Sequence, residues 1–212
     1  MSVHPDAAFI VLEGIDGSGT TTQCQLLGEE LRRRLGGREV LVTREPYDNV
    51  LTRRIREWLK DDDLPHEALL LAFCLDRQIH LREVVEPALR RGAIVVCDRY
   101  KLSTLVYQTK NNDEETVYDL CDSSRDPDLY VLLDVDAETA AARMASRSAT
   151  KDAYERNLDF QRMLAEDYRD RLLEETDDND ACFGTIIDGN DKTILQTHEA
   201  IIETVWENLD LG

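Results

Sequence analysis

The 212 residues can form one full-sized core, and a chain 42% hydrophobic and 33% charged is globular in composition. The formal net charge of −19, from 44 acidic and 25 basic side chains, excludes a general affinity for nucleic-acid backbones but not for a small phosphorylated ligand. Five cysteines without C-x-x-C spacing and four scattered histidines argue against a disulfide scaffold and a metal cluster.

In chain order, short runs rich in Val, Ile and Leu alternate with longer helical patterns. The runs are Ala8–Leu12, Val40–Thr43, Ala93–Cys97, Leu129–Leu133 and Thr185–Ile187. They barely alternate in polarity, as parallel strands buried on both faces do. Helices are predicted over Thr21–Leu35, stopped by Gly36-Gly37, and over Val50–Lys60 and Pro65–Arg91, the latter broken near Pro87. Further helices are predicted over Ser103–Lys110, Glu114–Asp122, Glu138–Ser146, Tyr154–Glu175 and Thr193–Asn208. Such alternation implies right-handed crossovers and a three-layer α/β/α fold around a five-stranded parallel sheet, with no repeat or linker dividing the single domain.

Behind the first strand stands Gly14-Ile15-Asp16-Gly17-Ser18-Gly19-Thr20-Thr21. Gly14 and Gly19 have the spacing of the phosphate-binding loop G-x-x-x-x-G-K-[ST], and Thr21 fills the position whose hydroxyl reaches Mg²⁺. The glycines let backbone N–H groups turn around an anion, and the following helix adds its positive end. The lysine position holds Thr20. A ligand-free Gly-rich turn is the competing reading of the loop alone. The missing cation is worth on the order of 10²–10³ in rate by analogy with other preorganised donors.

Four further segments follow in order: Thr43-Arg44-Glu45-Pro46, Leu71-Ala72-Phe73-Cys74-Leu75-Asp76-Arg77, Asp98-Arg99-Tyr100 with Ser103-Thr104-Leu105-Val106-Tyr107-Gln108 behind it, and Leu129–Leu133 leading to Asp134 and an Arg-bearing stretch. Together with the loop, this ordered set resembles thymidylate kinases from about residue 8 to 209. Chemistry supports the parts. Arg99 can fork onto a phosphate and Asp98 can hold Mg²⁺ or its waters, while Phe73 and Arg77 share a helix face.

The resemblance implies a P-loop kinase fold with a short lid at about 143–153. ATP and dTMP would be the ligands, with Mg²⁺, in a homodimeric cytoplasmic enzyme that uses neither nucleic acid nor membrane. It implies donor binding by residues 14–21 (Gly14, Ile15, Asp16, Gly17, Ser18, Gly19, Thr20 and Thr21), with Arg143 and Lys151. Arg56 and Arg99 would grip the acceptor phosphate, with Glu45 and Pro46 shaping the pocket. Phe73 would stack on the pyrimidine and Arg77 would reach its O4. Thr104 and Gln108 would complete the base edge, Asp16 would meet the 3′-hydroxyl, and Tyr107 would crowd the 2′ position. Thr21 and Asp98 would hold the metal. Arg147 is the expected catalytic lid arginine, alongside Arg99, Asp98 and Asp16, with Arg143 and Lys151 as alternatives.

Two departures from the pattern bear on this: Thr20 for lysine, and Tyr47-Asp48 for the usual glycines after Glu45-Pro46. They leave open a non-catalytic nucleotide-binding homologue, or a kinase for another nucleoside monophosphate. The acidic excess reads either as a solvated surface or as adaptation to a salty cytoplasm.

Overall fold

A computed structural model describes residues 4–59, 64–147, 158–176 and 182–211. Five strands form one parallel sheet: β1 (Ala8–Glu13), β2 (Val40–Arg44), β3 (Ile94–Asp98), β4 (Leu129–Asp134) and β5 (Phe183–Asp188), in the order β2-β3-β1-β4-β5. Each predicted strand is present and each ends one residue further on, at Glu13, Arg44, Asp98, Asp134 or Asp188. These end residues belong to the functional edge, because ligands of open α/β sheets bind outside the carboxyl ends of the strands.

Burial on both faces holds for the three inner strands and fails at the edges. Phe183 and Ile186 of β5 are 48% and 40% exposed, whereas Phe9 to Leu12 of β1 are fully buried. An edge strand has a neighbour on one side only, so part of its apolar surface stays open.

Side chains that alternate along β1 fill two separate cores. Ala8, Ile10 and Leu12 pack with Cys24, Leu27 and Leu31 of α1 (Thr20–Arg34) and with Ile201, Ile202 and Val205 of α9 (Ile194–Asn208). Phe9 and Val11 pack on the other face, against α5 (Lys101–Gln108), α7 (Ala137–Arg147) and α8 (Leu158–Thr176). A truncation such as Leu27→Ala in such a core costs about 2–5 kcal/mol. A smaller core joins α3 (His66–His80), α5 and α6 (Glu114–Asp122) through Leu70, Leu105, Val117 and Cys121.

The predicted break near Pro87 takes a specific form. α3 passes through a wide π turn, Leu81–Val85, into the short α4 (Glu86–Arg90), where Pro87 sits in the first turn. Proline has no N–H, and its ring collides with the carbonyl four residues back; widening the preceding turn relieves that collision. The last helix starts on a capping box made by Thr193 and Gln196. Between β2 and α3, α2 (Val50–Trp58) starts on a second box, in which Asn49 accepts from the Leu51 and Thr52 amides.

Candidate active site

β1 runs out of the core into the glycine loop. Gly14, Gly17 and Gly19 all have positive φ (154°, 89° and 109°). At Gly17 a side chain is also sterically barred, since a Cβ would stand 2.5 Å from the Ala140 carbonyl of α7. The Ser18 amide donates to the Ile15 carbonyl (3.1 Å), closing the turn. No side chain caps α1, so its first-turn N–H groups face the loop, as anion binding requires. Thr20 is 5% exposed, so the lysine position holds a short, buried hydroxyl rather than a cation. Arg143 of α7 donates to the Ser18 carbonyl (3.1 Å) and to that of Gly189 after β5 (2.7 Å), setting a cation against the loop. Arg147 lies at the end of α7 with its side chain outside the described residues, as is Lys151.

Thr21 and Asp98 meet as expected. The Thr21 hydroxyl donates to Asp98 Oδ2 at 2.5 Å, and Asp98 Oδ1 is buried with no hydrogen-bond partner among the described residues. A hydroxyl and an unsatisfied carboxylate oxygen side by side are the hard oxygen donors Mg²⁺ takes, and two protein ligands leave room for phosphate oxygens and water. The residues present fit that ion.

Beyond Asp98 opens a cavity of about 450 Å³. All the residues expected to hold the acceptor line it: Asp16, Glu45, Pro46, Arg56, Phe73, Arg77, Arg99, Thr104, Tyr107 and Gln108. Arg44 lines it too, and also a smaller cavity of about 240 Å³ beside Thr21, Cys24 and Asp48. Phe73 is half-buried and faces the cavity, so it is not consumed by core packing.

Arg99 occupies the left-handed region (φ 68°), a conformation costly for a bulky residue and frequent at functional sites. Its amide donates to the Leu12 carbonyl (2.9 Å), so the turn is tied to β1. The guanidinium donates to Asp16 Oδ1 (2.6 Å) and to the Tyr168 hydroxyl of α8 (3.2 Å), and stands 5.8 Å from the Tyr107 ring centre. The expected phosphate grip and the expected sugar contact are thus paired with each other.

Arg77 is 2% exposed and fixed on three sides. Nε donates to Glu45 Oε2 (2.9 Å), Nη2 to the Thr104 hydroxyl (2.6 Å) and Nη1 to the Cys121 sulfur (3.7 Å), while the Tyr100 ring lies 4.9 Å away. Each terminal nitrogen keeps one further N–H for a ligand. Burial is the largest single effect and works against the charge, but Glu45, Cys121 and Tyr100 together outweigh it, leaving the Arg77 pKa above its ordinary value.

Several supporting residues were not foreseen. His80, fully buried, bridges Glu45 Oε1 (3.1 Å) and the Thr43 hydroxyl (2.7 Å). A carboxylate only accepts, so Nδ1 carries the proton of the bond to Glu45. Tyr47, one of the two departures, stacks on His80 at 4.9 Å, and its amide donates to Asp76 Oδ2 (2.7 Å). The glycine-poor sequence is accommodated by these contacts.

Glu13 closes β1 completely buried. It accepts from the Tyr100 amide (2.8 Å), the Ser103 amide (3.2 Å) and the Ser103 hydroxyl (2.6 Å), thereby capping α5 from another element. Desolvation pushes its pKa up to about 7, although Ser103, Arg99 and Tyr100 all pull it down. The signal for Glu13 was a carboxylate ending an otherwise apolar run; that for His80 was a polar residue three positions beyond Arg77 on the same helix.

A glycine turn with the geometry of a phosphate-binding loop, an oxygen pair suited to Mg²⁺ and a polar cavity with an aromatic wall therefore share one edge of the sheet. The thymidylate kinase family model matches residues 12–201. The chain belongs to the thymidylate kinase family. A probable thymidylate kinase of Methanococcus maripaludis (strain DSM 14266) is 36% identical over 203 residues, 95% of this chain and 96% of that protein. A probable thymidylate kinase of Pyrococcus horikoshii is 36% identical over 167 residues, 76% of this chain and 80% of its own. The thymidylate kinase of Thermomicrobium roseum is 43% identical over 148 residues, 67% and 70% of the two chains. Within this family, the lysine-free loop and Tyr47-Asp48 are features to be explained by contacts in this chain.

Proposed function

We propose that the protein is an ATP-dependent dTMP kinase that transfers the γ-phosphoryl group of ATP to dTMP, giving ADP and dTDP. The observation that carries this reading is that one cavity is lined by Phe73, Arg77, Thr104 and Gln108 together with Arg99, Asp16 and Asp98. It offers an aromatic wall and N–H donors to a base that presents carbonyl oxygens, and cations to its phosphate. Thymine has O4 where cytosine has an amino group, so an arginine donor there favours the former.

The donor phosphates would rest on the amides of residues 14–21 and on the open end of α1. Thr21 and Asp98 would hold Mg²⁺, which when bound neutralises charge on the donor phosphates. Arg56 and Arg99 would aim the acceptor phosphate, and Asp16, released from Arg99, would take the sugar 3′-hydroxyl. Such an acceptor is already ionised and needs little general-base help, so catalysis reduces to positioning and charge stabilisation. Thr20 brings no cation to that step. Arg143, already against the loop, and Arg147 and Lys151 beyond it are the lid cations assigned to the developing charge. We assign the chain to one domain, and to a homodimer in the cytoplasm. Among the described residues no helix is long and apolar enough to cross a membrane.

The buried Thr20 also favours a second reading, a nucleotide-binding homologue that retains the pocket without turnover. Calorimetric titration tests the part common to both. dTMP binds the wild type, dCMP binds at least tenfold more weakly, about 1.4 kcal/mol, and Arg77→Ala loses that preference. Equal affinity for the two nucleotides in the wild type would refute the proposed base contact.

A further inference from the structure

A binding group is only as well directed as the residues that lock it, and the carboxylate beside Arg77 needs locking itself. Glu45 meets the guanidinium through one bond, from Nε to Oε2 (2.9 Å), rather than through the paired bonds of a fork. A carboxylate turns easily about its last side-chain torsion, so a single bond leaves its plane undetermined. The second oxygen, Oε1, is taken by Nδ1 of His80 (3.1 Å), three residues beyond Arg77 on α3. With both oxygens engaged, the plane of the carboxylate is set.

His80 has its own supports. Its other ring nitrogen pairs with the Thr43 hydroxyl of β2 at 2.7 Å. The Tyr47 ring stacks on it, with centres 4.9 Å and planes 15° apart. Tyr47 is tied back to α3, since its amide donates to Asp76 Oδ2 (2.7 Å). Asp76 Oδ1 accepts from Asn49 Nδ2 (2.8 Å) and from the Thr52 hydroxyl (3.1 Å). Asp76 and His80 are four apart and share a helix face, so the segment carrying Glu45 is fastened to α3 at both of them. His80 is fully buried and cannot touch a ligand, whereas Arg77 in front of it lines the acceptor cavity.

We propose that His80 is a positioning residue for base selection, holding Oε1 of Glu45 so that the Arg77 guanidinium keeps its direction. Tyr47, standing where the family pattern has glycine, holds the imidazole ring in place. The proposal deepens the functional reading above and rests on Arg77 as the contact to O4 of the base. Without the Nδ1 donor the carboxylate is free to turn. Arg77 then keeps its charge and its bonds to Thr104 and Cys121, but its remaining N–H groups are aimed less accurately. The loss falls on an acceptor that presents O4, and not on one that presents an amino group there.

The test is calorimetric titration of the full chain with dTMP, dCMP and MgATP. His80→Phe keeps a ring under Tyr47 and removes the donor. His80→Asn gives up the ring but places an amide N–H where Nδ1–H stands. His80→Phe is expected to bind dTMP roughly three- to tenfold more weakly, the range of one lost hydrogen bond. Its preference for dTMP over dCMP shrinks by the same factor, its affinity for MgATP is unchanged, and His80→Asn restores the preference. If His80→Phe does not fold, Thr43→Val, which frees the far side of the ring, must show the same selective loss. A folded His80→Phe with the wild-type preference, or a His80→Asn no better than His80→Phe, would overturn the proposal and leave His80 as packing. A wild type that binds dTMP and dCMP equally is a different failure: it removes the base contact itself, and this proposal with it.

Discussion

Arg77 is bound to Glu45, Thr104 and Cys121 and shielded by Tyr100, so its direction is set before any ligand arrives. Preorganisation of this kind carries a stability consequence. Removing one member of a buried ion pair strands the other, at about 3–5 kcal/mol. Arg77→Ala is therefore expected to lower unfolding free energy by that amount in denaturant titration, as well as abolishing base preference. A loss below about 1 kcal/mol would mean the pair is not buried in solution. Glu13 gives a second, pH-dependent expectation. Its folded pKa, about 7, lies above the ordinary 4.5, so the folded protein binds the extra proton between those values. Stability then falls as pH rises from 4.5 to 7, by up to about 1.4 kcal/mol per unit, and levels off above. Glu13→Gln keeps the acceptor for the Tyr100 and Ser103 amides and removes that slope; wild type and variant falling in parallel would contradict the assignment. Arg77, Phe73, Thr104 and Gln108 were legible through the resemblance to thymidylate kinases, and their four-residue spacings put each pair on one helix face. Glu13 was not, since its partners stand 87 and 90 positions away and nothing local marks the bond. The Arg99–Asp16 pair was hidden likewise, because both residues were legible but their mutual contact depends on how β3 sits beside β1.

At the level of elements, α2 shows how a helix end can serve the site. Asn49 accepts from the Leu51 and Thr52 amides and donates through Nδ2 to Asp76 on α3 (2.8 Å), fixing both the start and the orientation of the helix that carries Arg56. Asn49→Ala should cost about 1 kcal/mol of stability and raise the KM for dTMP, with the KM for ATP unchanged; a variant with normal dTMP kinetics would uncouple α2 from the pocket. The existence of every described helix was legible, and so was the break at Pro87. The π turn was not, because a proline predicts an interruption without saying whether the chain widens, kinks or stops. The carboxyl ends of the strands were read one residue short for a related reason: Glu13, Arg44, Asp98, Asp134 and Asp188 are polar and look like loop, yet ladder pairing extends to Asp98, Arg44 and Asp134 through their neighbours. Of those polar strand ends, Arg44 and Asp98 line the acceptor cavity.

For the whole molecule, the sheet order β2-β3-β1-β4-β5 puts the glycine loop at its centre, with the acceptor cavity to one side of it and Arg143 to the other. A net charge of −19 surrounds this site, and the like charges repel. Added salt screens them, with a Debye length near 10 Å at 0.1 M and near 3 Å at 1 M. The thermal midpoint is thus expected to rise between low and molar KCl; a midpoint independent of KCl would mean that the acidic surface is only a solvated coat. On this reading the lysine-free loop still supports phosphoryl transfer. Its most direct measurement is ADP formation from MgATP with dTMP, run beside dUMP, dCMP and dGMP at low and high KCl. Turnover with dTMP well above the other acceptors is expected, with dTDP as product. No turnover under either salt condition, with dTMP still bound in calorimetry, would contradict it and leave a nucleotide-binding protein in its place.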